Sequence, residues 1–200
     1  SFDYNISNKK WTRSHGNNFS NKISALDVLN EKNLSDLNLA WKLDLGKPRK
    51  NIETNPILVD NKLILPDVND NLIAINPING KKIWSINLPG PVARRGLSSD
   101  LDEKNIFVPT GKGVYVINVK NGLVNKNFGK EGKFSNILSL VSPIVTHDKV
   151  FISDINANIN AFSKSNGKLL WSLSTKKINN FKGARNWGGI SYDDKRDLLF

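Results

Sequence analysis

An aromatic residue returns along this chain on a nearly constant beat: Trp41, Trp84, Phe128 and Trp171 lie 43, 44 and 43 residues apart. A period of about 43 residues is longer than a helix-pair repeat of the tetratricopeptide kind and fits one four-stranded blade of a β-propeller. The register extends beyond the aromatics. A shift of 87 residues, two periods, lays Asn55-Pro56-Ile57 on Ser142-Pro143-Ile144 and Asp60-Asn61-Lys62-Leu63 on His147-Asp148-Lys149-Val150. The same shift lays Asn79-Gly80-Lys81-Lys82-Ile83-Trp84 on Asn166-Gly167-Lys168-Leu169-Leu170-Trp171 without a gap. This internal repeat sets the fold class: all-β, a propeller of four-stranded antiparallel blades.

Composition narrows the function classes. The 200 residues, 38% of them apolar, suffice for a substantial core. No apolar run approaches the roughly 20 residues of a membrane-spanning helix. The polar start Ser1-Phe2-Asp3-Tyr4-Asn5 has no hydrophobic signal core and reads as the beginning of a processed or excised segment. The absence of cysteine removes disulfides, thiolate metal sites, covalent haem attachment and cysteine nucleophiles together. A formal charge of +11 invites a nucleic-acid reading, but the lysines fall in turns such as Lys81-Lys82, Lys112, Lys130 and Lys168. The longest basic stretch, Lys47-Pro48-Arg49-Lys50, is short and lies in a linker. Solvated turn charge is the better reading, with no nucleic-acid partner.

Along the chain, residues 1–40 form an irregular, Asn-rich lead-in with one helical stretch expected over Asn30–Leu37. Propeller blades follow over 41–200. Strands are expected at Trp41–Leu45, Pro56–Val59, Leu63–Pro66, Leu72–Ile75 and Ile83–Leu88, then at 106–109, 114–119, 143–152, 159–162 and 169–173. Asn-Gly and Asp-Asn turns join them as hairpins. About four blades fit, and a propeller abolishes its sheet edges by closing a ring of about 4–8. The expectation is therefore the N-terminal portion of a larger, eight-bladed propeller, with a complete four-bladed ring as the lesser reading.

At this point the chain resembles the quinoprotein dehydrogenases, which bind pyrroloquinoline quinone (PQQ) on the axis of an eight-bladed propeller. The likeness runs from Trp11-Thr12-Arg13-Ser14-His15-Gly16-Asn17-Asn18, through Leu37-Asn38-Leu39-Ala40-Trp41, to Phe200. The Gly-Lys-x-x-Trp ends at Gly80 and Gly167 resemble the family's blade-docking motif, and Val124–Gly132 resembles a further family segment.

Three positions resemble cofactor contacts. Glu53, in Ile52-Glu53-Thr54-Asn55-Pro56, matches a glutamate at the quinone edge; by itself, a glutamate before a strand is a solvated turn residue. Arg95, followed by Gly96, matches an arginine that reaches the reactive carbonyl oxygens, where it stabilises oxyanion character; its neighbour Arg94 has no such counterpart. Trp187, in Asn186-Trp187-Gly188-Gly189, resembles the floor under the planar cofactor. An indole face is a natural platform for a flat ring system, and Trp187 stands off the 43-residue beat, 16 residues after Trp171. The resemblance further implies Ca2+ that polarises the quinone carbonyl, with Asp154 as its first acidic ligand. Asp154 also repeats Asp67 at the 87-residue offset, so a plain blade-turn role stands beside the metal role. The amide ligand and the aspartate general base are expected beyond Phe200, which leaves these 200 residues inactive by themselves.

The chain departs from the family in two places. Pro89-Gly90 occupies the neighbourhood where the alcohol-oxidising branch often has a disulfide, which favours the glucose and sugar dehydrogenase type. Leu140 stands where a threonine helps to hold a cofactor carboxylate. His147 reads as a solvated hairpin residue and His15 as part of the lead-in. The implied function is PQQ- and Ca2+-dependent oxidation of a sugar or alcohol hydroxyl, in the periplasm or at the inner membrane, with a membrane quinone or a cytochrome as electron acceptor. The alternative is a non-catalytic scaffold resembling the outer-membrane assembly protein BamB. A sugar-binding propeller is a third reading. A scaffold has no physical reason to carry Arg95-Gly96 and Asn186-Trp187-Gly188-Gly189 together.

Overall fold

Each short apolar run pairs with its neighbour in sequence, so the sheets are built by hairpins and need no crossovers. The computed structural model describes residues 10–24, 26–47, 53–93, 95–134, 137–177 and 186–200. Arg94 and most of the basic stretch around Lys47 lie outside them.

Strands β1 (Ile57–Val59), β2 (Lys62–Pro66), β3 (Asn71–Ile75) and β4 (Lys82–Asn87) form the first antiparallel sheet in sequence order. The second contains β5 (Ser98–Ser99), β6 (Asn105–Thr110), β7 (Gly113–Asn118) and β8 (Lys133–Phe134). The third contains β9 (Ile144–Val145), β10 (Lys149–Ser153), β11 (Asn158–Ser163) and β12 (Leu169–Ser174). A pair, β13 (Tyr192–Asp193) and β14 (Leu198–Leu199), begins a fourth. The β1–β2 turn shows why the sequence chooses hairpins. Asp60 and Asn61 both take positive φ, 45° and 53°, the backbone that a two-residue hairpin with native twist requires.

Alternation then gives the second and third blades two buried faces. In β6, Ile106 and Val108 join a core shared with the first blade, while Phe107 between them joins a core shared with the third. In β10, Val150 and Ile152 face the second blade, and Phe151 packs with Ile190 and Tyr192 beyond the third. The aromatic beat marks the joints. A Cβ on Gly122 would lie 2.6 Å from the Trp84 ring, and one on Gly80 would lie 2.6 Å from Trp41. Phe128 stands 2.8 Å from the same point on Gly167. All three glycines have φ near +70°, so glycine serves both the turn and the close approach. The indole N–H of Trp84 donates to the Val119 carbonyl and that of Trp41 to the Pro77 carbonyl.

The structure differs from the sequence reading at two expected elements. Trp41–Leu45 docks by its tryptophan but pairs with no strand among the described residues. The helical stretch at 30–37 shortens to one 3-10 turn, Leu34–Asp36. In the second blade the outer strand is interrupted. Val124 bridges Ile117, the chain then makes the excursion that carries Phe128, and β8 resumes the ladder against Val114 and Tyr115.

The lead-in is the part that locates the axis. The Leu58 N–H donates to Trp11, the Ser99 N–H to Thr12 and the Tyr192 N–H to Asn18, while the Asn18 amide donates to the Val145 carbonyl. Residues 11–18 thus touch β1, β5, β9 and β13, the innermost strand of each blade in turn.

Candidate functional site

Where the lead-in crosses the inner strands, it buries a guanidinium. Arg13 is 1% exposed. Its guanidinium donates to the Pro143 and Ser142 carbonyls and to the Ser20 hydroxyl, all uncharged acceptors. Burial pushes its pKa down to about 10, so it keeps its charge at neutral pH. Burial, with Arg13 and Lys22 nearby, holds the His15 imidazole below its ordinary value. The lead-in packs directly on backbone here: a Cβ on Gly96 would fall 2.1 Å from the Ser14 hydroxyl. That hydroxyl accepts the Leu97 N–H and donates to the Asn55 carbonyl. Gly96, with φ +120°, is therefore the residue that lets the chain reach the axis.

Two cavities open beside this crossing. The larger, of about 390 Å3, is lined by Glu53, Pro91, Arg95, Leu140 and Trp187 among others, within the range of small-ligand sites. The smaller, of about 280 Å3, adds Ser14, His15 and Asn55 and shares Glu53, Arg95 and Trp187 with its neighbour. The three residues expected to contact a cofactor therefore converge, although they come from segments before β1, before β5 and before β13. Trp187 is 62% exposed. The Arg95 guanidinium carbon sits 4.4 Å from the Trp187 ring centroid, and Nη1 donates to the Trp187 carbonyl at 2.8 Å. This cation–π stack covers one indole face. A flat ligand must take the opposite face or displace the guanidinium.

Asp154 is not among the residues lining either cavity. It is 7% exposed, and its carboxylate accepts from the Asn156 and Asn158 backbone N–H groups and from the Asn158 and Asn160 side-chain amides. Among the described residues no group of three or more His, Cys, Asp or Glu is arranged to hold a metal ion. The Asp154 carboxylate is hydrogen-bonded within its own turn and to the adjacent strand. Leu140 and Pro91 give the larger cavity apolar walls. The sequence reading missed Ser14, His15 and Asn55 as lining residues. Their one signal was the Trp11–Asn18 segment, which shows no strand alternation because it gives each blade isolated bonds and never a ladder.

Comparison with known proteins agrees with this architecture. The family model described as PQQ: Glucose/ethanol/alcohol dehydrogenase, beta-propeller domain matches residues 11–136, and the chain belongs to that family. The chain is 24% identical to quinoprotein glucose dehydrogenase A of Acinetobacter calcoaceticus, over 90% of its own length and 31% of that protein's. It thus spans about a third of that curated relative. Among solved structures, a europium-containing methanol dehydrogenase superposes with a TM-score of 0.71 at 18% identity, covering 95% of this chain and 41% of the other. BamB from Moraxella catarrhalis gives a TM-score of 0.51 at 15% identity, covering 66% of this chain and 38% of the other. At such identities both show the fold alone.

Proposed function

We propose that this chain supplies the quinone-holding wall of a PQQ-dependent dehydrogenase that oxidises a sugar or alcohol hydroxyl and passes the electrons to a membrane quinone or a cytochrome. The observation that carries the reading is the convergence of Glu53, Arg95 and the off-beat Trp187 on one cavity. When bound, PQQ takes up two electrons from the carbon that bears the substrate hydroxyl. Trp187 offers its indole face to a flat ring. Arg95 presents the planar fork of donors that suits carboxylate and carbonyl oxygens. Arg13 lies buried behind the wall, and its guanidinium donates there to uncharged acceptors. Glu53 lies at the cavity edge, where its carboxylate can accept a ring N–H. Removal of the hydroxyl proton is not assigned to any of these residues, and no step assigned to them runs through calcium. A periplasmic location, at or near the inner membrane, belongs to the same proposal; among the described residues no helix is long and apolar enough to cross a membrane.

The test is a PQQ titration of the purified protein, followed by tryptophan fluorescence in calcium-free buffer. Wild type is expected to bind with quenching, and Arg95→Ala to bind roughly 10-fold or more weakly, as for a lost charge-assisted hydrogen bond. Absence of saturable quenching in wild type overturns the quinone reading and favours the scaffold.

A further inference from the structure

The turn after β10 is a copy of the turn after β2, and the copy extends to every hydrogen bond that closes it. In the first blade, Asp67 Oδ1 accepts the Asn69 and Asn71 N–H groups and Oδ2 accepts the Asn71 amide. In the third, Asp154 Oδ1 accepts the Asn156 and Asn158 N–H groups at 2.8 and 3.0 Å, and Oδ2 accepts the Asn158 amide at 3.0 Å. The backbone repeats as well. Asp67 N–H bonds to Asn71 as Asp154 N–H does to Asn158. Asp70 and Ala157 both take left-handed backbone, at φ 64° and 63°. Asp154 has one bond more than its counterpart, from the buried Asn160 amide at 3.0 Å. The same carboxylate-and-asparagine closure recurs at a different hairpin, where Asp100 accepts the Lys104 and Asn105 N–H groups and the Asn105 amide. It is a general device of this chain for tying β-hairpins.

A carboxylate has about four lone-pair directions, and four N–H groups already point at Asp154. A divalent cation would have to displace at least one of these donors, and with it a hydrogen bond to a charged group, which is costly. We infer that Asp154 locks the turn between β10 and β11 and is not a metal ligand, so that a divalent cation of the proposed quinone site has to be held by other residues. The inference rests on the proposed function only for its choice of metal; its foundation is the hydrogen bonds.

The experiment compares thermal unfolding of wild type, Asp67→Asn, Asp154→Asn and Asp154→Glu, each with EDTA and with millimolar Ca2+. Asparagine at 154 turns an amide donor toward the Asn158 and Asn160 amides, and glutamate overshoots the turn. Both variants are expected to lower Tm by roughly 4–8 °C in EDTA, as Asp67→Asn does, while the Ca2+-induced change in Tm, including no change at all, stays that of wild type. The inference is overturned if Asp154→Asn abolishes a Ca2+-induced rise that wild type shows and Asp154→Glu retains it. Should the Asp154 variants not fold, Asn158→Ala decides: a lower Tm in EDTA supports the turn lock, and an unchanged Tm contradicts it. The PQQ titration on the same preparations is independent, since failure of wild type to bind the quinone removes the proposed function and leaves the Asp154 result standing.

Discussion

Trp84 and Trp187 carry the same side chain and use it in opposite ways. At the joint between the first two blades, Trp84 lays its ring on Gly122, gives its N–H to Val119 and packs against the shared core. On the axis, Trp187 leaves 62% of its surface exposed and meets the Arg95 guanidinium. The first ring is spent on packing, and the second is held where something else can reach it. An exposed indole adds little to folding free energy, so its position is best understood through what binds to it.

Substitutions can break or sharpen that contrast. The largest effect is expected for Gly122→Ala. It places a side chain on left-handed backbone at φ +72° and drives it into Trp84, for a loss of about 3–4 kcal/mol in urea unfolding. Trp84→Ala is expected to cost about 2–3 kcal/mol, less than a fully buried tryptophan because the ring is only partly buried. Trp187→Ala is expected to change stability by less than about 0.5 kcal/mol but to weaken PQQ binding roughly 10-fold. Equal destabilisation by the two tryptophan variants would refute the contrast. The smallest effect is on pH. His15 has a folded pKa depressed below 6.5 by burial, Arg13 and Lys22, so the unfolded chain takes up its proton first. Stability is then lost as pH falls below about 6.5, and His15→Gln should flatten that slope in unfolding curves measured across the range.

The blade side of the comparison was legible in the sequence, and the axis only in part. Ring-on-glycine joints demand the same residues at each repeat, so Gly80, Trp84, Gly167 and Trp171 stand out in the unaligned chain. Trp41–Leu45 carries the same alternation and was read as a strand; alternation reports which face is buried and says nothing about whether a hydrogen-bonding neighbour is present. Asp154 could be matched to Asp67 by the 87-residue shift, but the four donors that occupy it became visible only with the side chains of Asn158 and Asn160 in place. Ser14, His15 and Asn55 were not legible as a group. They meet through a segment whose partners lie as far along the chain as Tyr192, and sequence periodicity carries no signal for contacts made once.

The aromatic joints are nearly local: the Trp41 and Trp84 indoles reach carbonyls only 36 and 35 residues ahead. Blades linked in this manner behave as a linear array with nearest-neighbour coupling, free to nucleate at any blade and spread outward. Arg13 does the reverse. By clasping Ser142 and Pro143 it couples the start of the chain to the third blade, and it can do so only after the intervening blades exist. Loosening one joint should shift a single unfolding transition while that clasp holds, and loosening the clasp should let the blades melt one after another.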